Sequence, residues 1–185
     1  KTFNYYYVAI FTLKPNSNAL RFRSSAVAAR KGRKKASIAL EVETGQGLIG
    51  EAALHGQQII CDDVRADARY RFIDSLPETR SEVVIPLKIE GRVLGVLDVQ
   101  SNQPHAFHPN DLLILHALAD NIARAVDGAH LYSRLRRRAE QLTLVSEVSK
   151  SVSSTLNLST IMRDAANLIH EKFKYPHVSL FTVHL

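Results

Sequence analysis

The sequence lacks the residues that several kinds of site require. Cys61 is the only cysteine in 185 residues, and one thiol cannot form an internal disulfide, a zinc cluster or a dithiol redox pair. The apolar runs are too short to span a membrane, and no basic segment followed by an apolar one marks a leader peptide. The chain also lacks an initiator methionine and starts in strand-like sequence. We expect a cytoplasmic fragment of a longer protein, without membrane contact.

Basic side chains outnumber acidic ones, 24 to 18, which gives a formal charge of +6. The excess is concentrated in residues 30–35 and 134–138. Basic runs can bind nucleic acid, but single-strand binders interleave aromatic residues to stack bases, and neither run contains any. We interpret both runs as solvated surface and expect no nucleic-acid partner. Binding that falls steeply with salt, and is lost when residues 30–35 are neutralised, would favour a nucleic-acid-binding module instead.

The first half of the sequence predicts short strands joined by turns. Residues 5–13 and 19–26 are strand-like and flank a turn rich in Pro, Asn and Ser. A short helix is predicted over 47–56 and a further strand over 57–61. Residues 65–77 are irregular and end in proline, which is typical of a long functional loop.

Residues 80–101 predict a β-hairpin. The segments SEVVIPLKI and RVLGVLDVQ are strand-like, and only Glu90 and Gly91 separate them. Antiparallel neighbours need only such a turn, whereas parallel strands need a crossover of about a dozen residues or more. The sheet is therefore predicted to be at least partly antiparallel.

A long helix is predicted from Asp111 to about Thr155, which is roughly 65 Å at 1.5 Å per residue. Pro109 precedes it, Asn110 is a suitable cap, and Asp111 suits the positive end of the helix dipole. In the first half of this helix the sequence places one apolar face: Leu112, Leu115, Leu118, Ala119, Ile122, Ala125, Val126 and Ala129.

Beyond Gly128 the apolar residues change to the spacing of a coiled-coil seam. Six residues form this seam: Leu131, Leu135, Leu142, Val145, Val152 and Leu156. Arg138 and Ser149 interrupt it, so we expect a weak coiled coil that can switch. A single helix cannot bury such a stripe alone, so we expect a parallel homodimer.

The end of the chain repeats its beginning. FNYYYVAIFTL at 3–13 aligns without gaps to FKYPHVSLFTV at 173–183, with five identities in eleven positions. An amphipathic helix over 158–173 precedes the second copy. We interpret the chain as part of a tandem array.

Residues 45–50 spell GxGxxG, the fingerprint of dinucleotide-binding folds, after a strand-like segment and before a helix. An enzyme domain that binds a nucleotide cofactor at the Gly45–Gly50 loop is therefore the alternative to be tested. Against it, the helix ends at Gly56, too early for a normal crossover, and the next strands form a hairpin.

Two histidines and one cysteine are the candidates for metal binding or covalent chemistry. His105 and His108 have HxxH spacing, with Asp111 three residues further on, but they lie in a loop beside two prolines. Metal ligation needs a convergent, fixed shell, so we expect no metal. Aspartates follow Cys61 directly, and their charge raises the pKa of a thiol. We expect a structural cysteine and no catalytic residue.

Taken together, residues 44–126 resemble a GAF domain. The resemblance is carried by three segments: TGQGLIGEAALHGQQIICDDVRADARY (44–70), SEVVIPLKIEGRVLGVLDVQSN (81–102) and AFHPNDLLILHALADNIARAV (106–126). It implies an α+β, PAS-like fold with an antiparallel sheet of five or six strands, flanking helices and a long C-terminal coiled-coil helix. It also implies a ligand pocket between one face of the sheet and the connecting loops.

The branches of this family differ in their site residues. The cyclic-nucleotide branch carries Asn-Lys and Phe-x-x-x-Asp-Glu; Asn102, Phe107 and Asp111 match, while Gln103 and Leu112 replace the Lys and Glu. The bilin branch uses a Cys-His pair, and the methionine-sulfoxide-reducing branch needs several cysteines. The resemblance thus implies a fragment that is not an enzyme, and it leaves the cofactor unknown.

The tandem arrays of bacterial sensors such as histidine kinases look closest, which implies a sensory domain that signals to an output domain through a helical linker. The implied domains are a GAF-like unit without its N-terminal helix (1–130), a coiled-coil linker (131–157) and the helix and first strand of a second unit (158–185). The small-molecule site is predicted at the loop: Asp67, Arg69, Tyr70, Phe72, Arg80 and Ser81.

Overall fold

The computed structural model describes residues 5–27, 41–153 and 158–182. The chain divides into two compact units, Lys1–Gly128 and Ala129–Leu185. The basic run at 30–35 and the seam residue Leu156 lie outside the described residues, as does the side chain of Val152.

The first unit is built on a six-stranded sheet with the order β3-β2-β1-β6-β5-β4, in which every pairing is antiparallel. Its strands and first helix are β1 Tyr7–Leu13, β2 Ala19–Val27, β3 Glu41–Glu43, α1 Gly47–His55, β4 Ile59–Cys61, β5 Ser81–Ile89 and β6 Arg92–Ser101. Two further helices follow, α2 Pro109–Ser153 and α3 Leu158–Phe173. The predicted antiparallel α+β fold is confirmed.

The β5–β6 hairpin forms as predicted. Glu90 and Gly91 have φ values of 50° and 80°, and a two-residue turn with positive φ at both positions matches the twist of the strands it joins. The turn and one irregularity in the ladder fix the register, which places Glu82 opposite Gln100 and Val84 opposite Asp98.

The two faces of the sheet carry separate apolar cores. One face of β5 and β6 packs against α2 through Val83, Ile85, Leu87, Leu97, Val99, Leu115, Ala119 and Ala123. The opposite face of the sheet packs against α1 and the loop between β4 and β5, through residues such as Tyr7, Phe11, Leu48, Ala52 and Leu76. Because side chains alternate along a strand, β6 contributes to both cores.

The start of α2 differs from the prediction. The helix begins at Pro109 rather than after it, because the fixed φ of proline suits the first helical position. The Asp111 carboxylate accepts a hydrogen bond from the His108 backbone N–H at 3.3 Å, which supports the first turn.

The apolar face predicted for the first half of α2 is partly wrong. Leu118 is 44% exposed and Ala125 is also exposed, whereas Ala123 is fully buried. This part of α2 carries apolar residues on more than one side, and the sheet covers only one of these sides. Ile114 and Leu118 therefore lie on a second, uncovered apolar strip.

The second unit contains the rest of α2 and α3. The predicted helix over 158–173 is confirmed, and Lys172 Nζ at its end lies 3.7 Å from the Glu147 carboxylate of α2. Residues 174–182 form no strand, contrary to the strand expected there, because a strand needs a hydrogen-bonded neighbour. The domain boundaries stay predictions. No helix in the described parts of the chain is both long and apolar enough to cross a bilayer.

Candidate functional site

A cavity of about 260 Å³ lies over the sheet, beneath α1 and the loop between β4 and β5. Pockets that bind drug-sized ligands measure roughly 300–1,000 Å³, so this smaller cavity suits a small metabolite. Its walls are mostly apolar and aromatic, and its lining residues are Tyr7, Phe11, Val42, Gln46, Gly47, Leu48, Ile49, Tyr70, Arg71, Phe72, Ile73, Glu82, Asp98 and Gln100.

Two acidic side chains lie against this cavity in the core of the sheet. Glu82 on β5 is 3% exposed and Asp98 on β6 is fully buried. The two residues lie on neighbouring strands, two positions out of register, and both line the cavity, so their carboxyl groups interact directly. Burial and the adjacent Asp98 raise the pKa of Glu82 well above its usual range, and burial also raises the pKa of Asp98.

A chain of hydrogen bonds positions one of these carboxyl groups. Thr79 Oγ1 donates to Gln100 Oε1 at 2.8 Å, and Gln100 Nε2 donates to Asp98 Oδ2 at 2.9 Å. The other oxygen, Asp98 Oδ1, is buried and accepts no hydrogen bond from the described part of the chain. Buried polar atoms are normally satisfied, so this oxygen can accept a further donor.

Two tyrosines complete the polar part of the wall. Burial raises the pKa of Tyr7, and it raises the pKa of Tyr70 to about 12. Both phenols therefore stay neutral at physiological pH and can donate hydrogen bonds. The site offers carboxyl groups and hydroxyls in an apolar surrounding, an arrangement suited to orienting a small polar molecule.

Only two of the six predicted ligand residues line the cavity. Tyr70 does so, as does Phe72, whose side chain is otherwise 64% exposed. Asp67 accepts hydrogen bonds from the backbone N–H of Arg69 at 2.9 Å and from its guanidinium at 2.7 Å. The Arg69 guanidinium lowers the pKa of Asp67. This pair closes a turn of the loop.

The other two predicted residues are occupied elsewhere. Arg80 donates to the Asp63 carboxylate at 3.0 Å, and Ser81 Oγ donates to the Gln103 carbonyl oxygen at 2.7 Å. The first bond joins the two ends of the loop between β4 and β5, and the second joins the start of β5 to the segment after β6. Arg80 and Ser81 are not among the residues that line the cavity.

Sequence reasoning missed Glu82, Asp98 and Gln100. A signal for them existed, because each interrupts an otherwise apolar strand of the hairpin. Charged residues are rarely fully buried without a partner. The turn at Glu90 and Gly91 sets the pairing of β5 with β6, and every second residue of a strand faces the same side of the sheet. With the irregularity in the ladder also known, these two rules place all three residues on one face.

The GxGxxG segment has a structural explanation. A Cβ atom at Gly50 would lie 2.3 Å from the carbonyl oxygen of Glu43, so glycine is required for α1 to pack against β3. β3 pairs with β2 and β4 pairs with β5, all antiparallel. The Gly45–Gly50 loop therefore does not join parallel strands, as the dinucleotide fold requires, and this topology does not support the alternative.

The remaining candidates lie outside the cavity. Cys61 is buried, and burial together with the nearby Asp67 raises the pKa of its thiol to about 11. His105 Nδ1 lies 3.7 Å from the Asp62 carboxylate. Within the described residues, no group of three His, Cys, Asp or Glu side chains could hold a metal ion.

Comparisons with known proteins place this arrangement in context. A family model for the GAF domain matches residues 4–127. The circadian input-output histidine kinase CikA of Synechococcus elongatus is 30% identical over 93 residues, which cover 47% of this chain and 12% of that kinase. The chain spans about half or less of the length of the curated relatives it matches.

Two similar solved structures are enzymes. The free methionine-R-sulfoxide reductase of Neisseria meningitidis, solved with its substrate, is 26% identical with a TM-score of 0.59, and the match covers 70% of this chain and 72% of that one. The type II enzyme of Thermoplasma acidophilum is 26% identical with a TM-score of 0.58, covering 66% and 79%. The prediction that this fragment is not an enzyme is therefore wrong. It relied on the number of cysteines, whereas similar structures with this fold are enzymes.

The fold and the sequence comparison indicate the same family. The family match extends over more than half of the sequence and coincides with the sheet, α1 and the first part of α2. Proteins with this domain are typically sensory or regulatory. The chain belongs to the GAF domain family.

Proposed function

We propose that this domain is a sensory module whose cavity binds a small organic cation of amino-acid size. The observation that carries the proposal is the pair of buried carboxyl groups, Glu82 and Asp98, against the cavity. Burying acidic groups in an apolar core is costly unless they are paired or hydrogen-bonded. A cationic ligand group would offset that cost.

The cavity also suits the rest of such a ligand. Arg71 lines it and can pair with a carboxylate, while Tyr70 and Phe72 provide aromatic surface. Free amino acids combine an ammonium group, a carboxylate and a small side chain, so they are the first class to test. The solved relative from Neisseria meningitidis binds a free amino-acid derivative, which supports this choice.

A panel of free amino acids, including L-methionine and its R-sulfoxide, tests the proposal by calorimetry and thermal shift. We expect at least one to bind, and Glu82→Gln or Asp98→Asn to weaken binding about tenfold or more, since each removes a charge-assisted hydrogen bond. Asp120→Asn, at an exposed position on α2, is the matched control. If no member binds, or the control weakens binding equally, the proposal fails.

We further propose that the domain acts as a parallel homodimer and transmits the bound state along α2. The seam side chains of Leu131, Leu135, Leu142 and Val145 are 52–64% exposed within the described chain. Exposed apolar stripes of this length are unusual on soluble monomers. A second copy of this chain carries an identical apolar stripe, so we expect it to cover the seam of α2.

The domain organisation is part of this proposal. Residues 1–130 form the sensory unit, 131–157 the coiled-coil linker, and 158–185 the opening of a second GAF-like unit. Leu180 and Phe181 are 41% and 87% exposed, as expected of a strand without its sheet. A longer chain that includes the following residues should bury both; unchanged exposure to a labelling reagent would contradict the tandem arrangement.

A second candidate function is reduction of free methionine-R-sulfoxide, favoured by the two enzyme structures at 26% identity. The Cys61 thiolate would take the sulfoxide oxygen together with one proton from solvent, releasing methionine and leaving a sulfenic acid. An external thiol would then form a mixed disulfide with loss of water, and a second thiol would release Cys61. Methionine production with dithiothreitol, absent in Cys61→Ser, would support this candidate; equal activity in both would eliminate it.

A further inference from the structure

Glu82 and Asp98 lie diagonally across the β5–β6 ladder, both are buried and both line the same cavity, so their carboxyl groups interact directly. No lysine or arginine in the described residues forms an ion pair with either group. Two ionised carboxylates offer only acceptors to one another, and their charges repel. A buried pair of adjacent carboxyl groups therefore needs a proton between its members or a cation beside them.

We propose that Glu82 and Asp98 share one proton in the ligand-free domain, and that the cationic group of the ligand replaces this proton and expels it to solvent. This inference rests on the proposed function, because it assigns the charge of the group that the pair receives. Thr79 and Gln100 act as positioning residues: Thr79 donates to Gln100, Gln100 donates to Asp98 Oδ2, and Oδ1 is left for the proton or the ligand.

The exchange balances in charge. Before binding, the pair carries one proton and a net charge of −1; after binding, two carboxylates and one cation again sum to −1. The buried region therefore gains no net charge, which avoids the cost of bringing an uncompensated ion into the core. A neutral molecule of the same shape cannot take the place of the proton, so the pair selects for a cation.

The other groups that face the pair do not compete for this role. Tyr7 on β1 and Tyr70 in the loop have raised pKa values, so both stay neutral while the pair titrates. Asp67 acts on Glu82 from the loop, but Arg69 holds it ionised. Arg71 lines the same cavity, but it forms no ion pair with either carboxyl group among the described residues. The part of α1 that lines the cavity, Gly47–Ile49, carries no titratable side chain.

The sign of the pH dependence follows. At low pH the two carboxyl groups hold protons, and a cation must displace these protons to bind. As the pH rises, the proton becomes easier to expel, so the affinity for a permanently charged cation increases by up to about tenfold per pH unit for one proton. Above the pKa of the shared proton the affinity levels off.

Carboxyl-carbon NMR of the ligand-free domain tests the shared proton directly. We expect one glutamate and one aspartate resonance to titrate together, well above the ordinary carboxyl range of about 4. Glu82→Gln should abolish the coupled behaviour of the aspartate, and Asp120→Asn should leave it unchanged. If every carboxyl group titrates near its ordinary value, the shared proton is disproved.

Calorimetry with L-methionine in phosphate and in Tris at one neutral pH tests the exchange. The dependence of the binding enthalpy on buffer ionisation gives the number of protons released, and we expect about one for the native chain and none for Glu82→Gln. Binding without proton release would overturn this inference and leave the proposed function standing. If neither L-methionine nor any other amino acid of the panel binds, the proposed function itself fails.

Discussion

Glu82 on β5 and Asp98 on β6 lie diagonally across the hairpin, two residues out of register, and their carboxyl groups meet inside the core of the sheet. Strand cores normally carry apolar residues at such positions. The pair therefore lowers the stability of the fold at neutral pH, and its presence is explained by the cavity that it faces.

This pair predicts an unusual dependence of stability on pH. Both pKa values are raised in the folded state, so the folded chain binds protons more tightly than the unfolded one. The contribution of these bound protons to the free energy of unfolding is greatest below the ordinary carboxyl pKa of about 4. It is lost as the pH rises through the raised pKa values. Urea unfolding of Glu82→Gln should show a flatter profile and about 1–3 kcal/mol more stability at pH ~8. A native profile that rises between pH ~5 and ~8 while that of the variant does not would contradict this explanation.

Substitution of Gly50 should destabilise the first unit. An added methyl group would meet the Glu43 carbonyl oxygen at 2.3 Å, so Gly50→Ala must push α1 away from β3, at a cost of about 1–3 kcal/mol. Gly128→Ala is the matched control, because nothing lies within 4 Å of its added Cβ. In the interior of α2 it should stabilise the helix by up to about 1 kcal/mol. Chemical denaturation measures both, and equal effects would refute the close-packing explanation.

The proposed dimer depends on the exposed seam of α2. Leu135→Lys combined with Leu142→Lys should place like charges along the interface and convert a dimer into a monomer. Arg134→Lys and Glu140→Gln, at exposed positions of the same helix, form the control pair. Analytical ultracentrifugation distinguishes the species. A native chain that remains monomeric at high concentration would disprove the dimer.

The Cys61 thiol should react slowly in the folded chain. Its pKa of about 11 lies more than two units above that of a free thiol, so its thiolate fraction at neutral pH is lower by roughly a hundredfold. Iodoacetamide labelling followed by mass spectrometry should be slow in buffer and fast in denaturing urea. Rapid labelling of the folded chain would show that the thiol is accessible and activated, as the reductase candidate requires.

The local features of the fold could be predicted from the sequence. The hairpin turn at Glu90 and Gly91 and the long helix α2 depend on neighbours in the chain, and both are present, although α2 begins at Pro109 rather than after it. The cavity residues depend on strand register, which a ladder irregularity between Leu87 and Lys88 alters. Sequence patterns do not reveal such an irregularity, so the acidic residues were not assigned to the site.

The loop between β4 and β5 shows a second limit of prediction from sequence. Tyr70 and Phe72 line the cavity, as an aromatic residue in a loop over a sheet can, and their role in ligand binding stays a prediction. The charged residues Asp67 and Arg69 instead satisfy each other two positions apart, and local pairing of this kind competes with any role in a site. Composition alone cannot separate a loop's internal bonds from its ligand contacts.

Residues that alternate along β6 connect the two layers of the first unit. Asp98 faces the cavity, while its neighbours Leu97 and Val99 belong to the core beneath α2. One peptide unit therefore separates a group that lines the cavity from the side chains against which α2 packs. A tilt of this strand by a bound molecule would change the support of α2 directly, and no relay through distant residues would be needed.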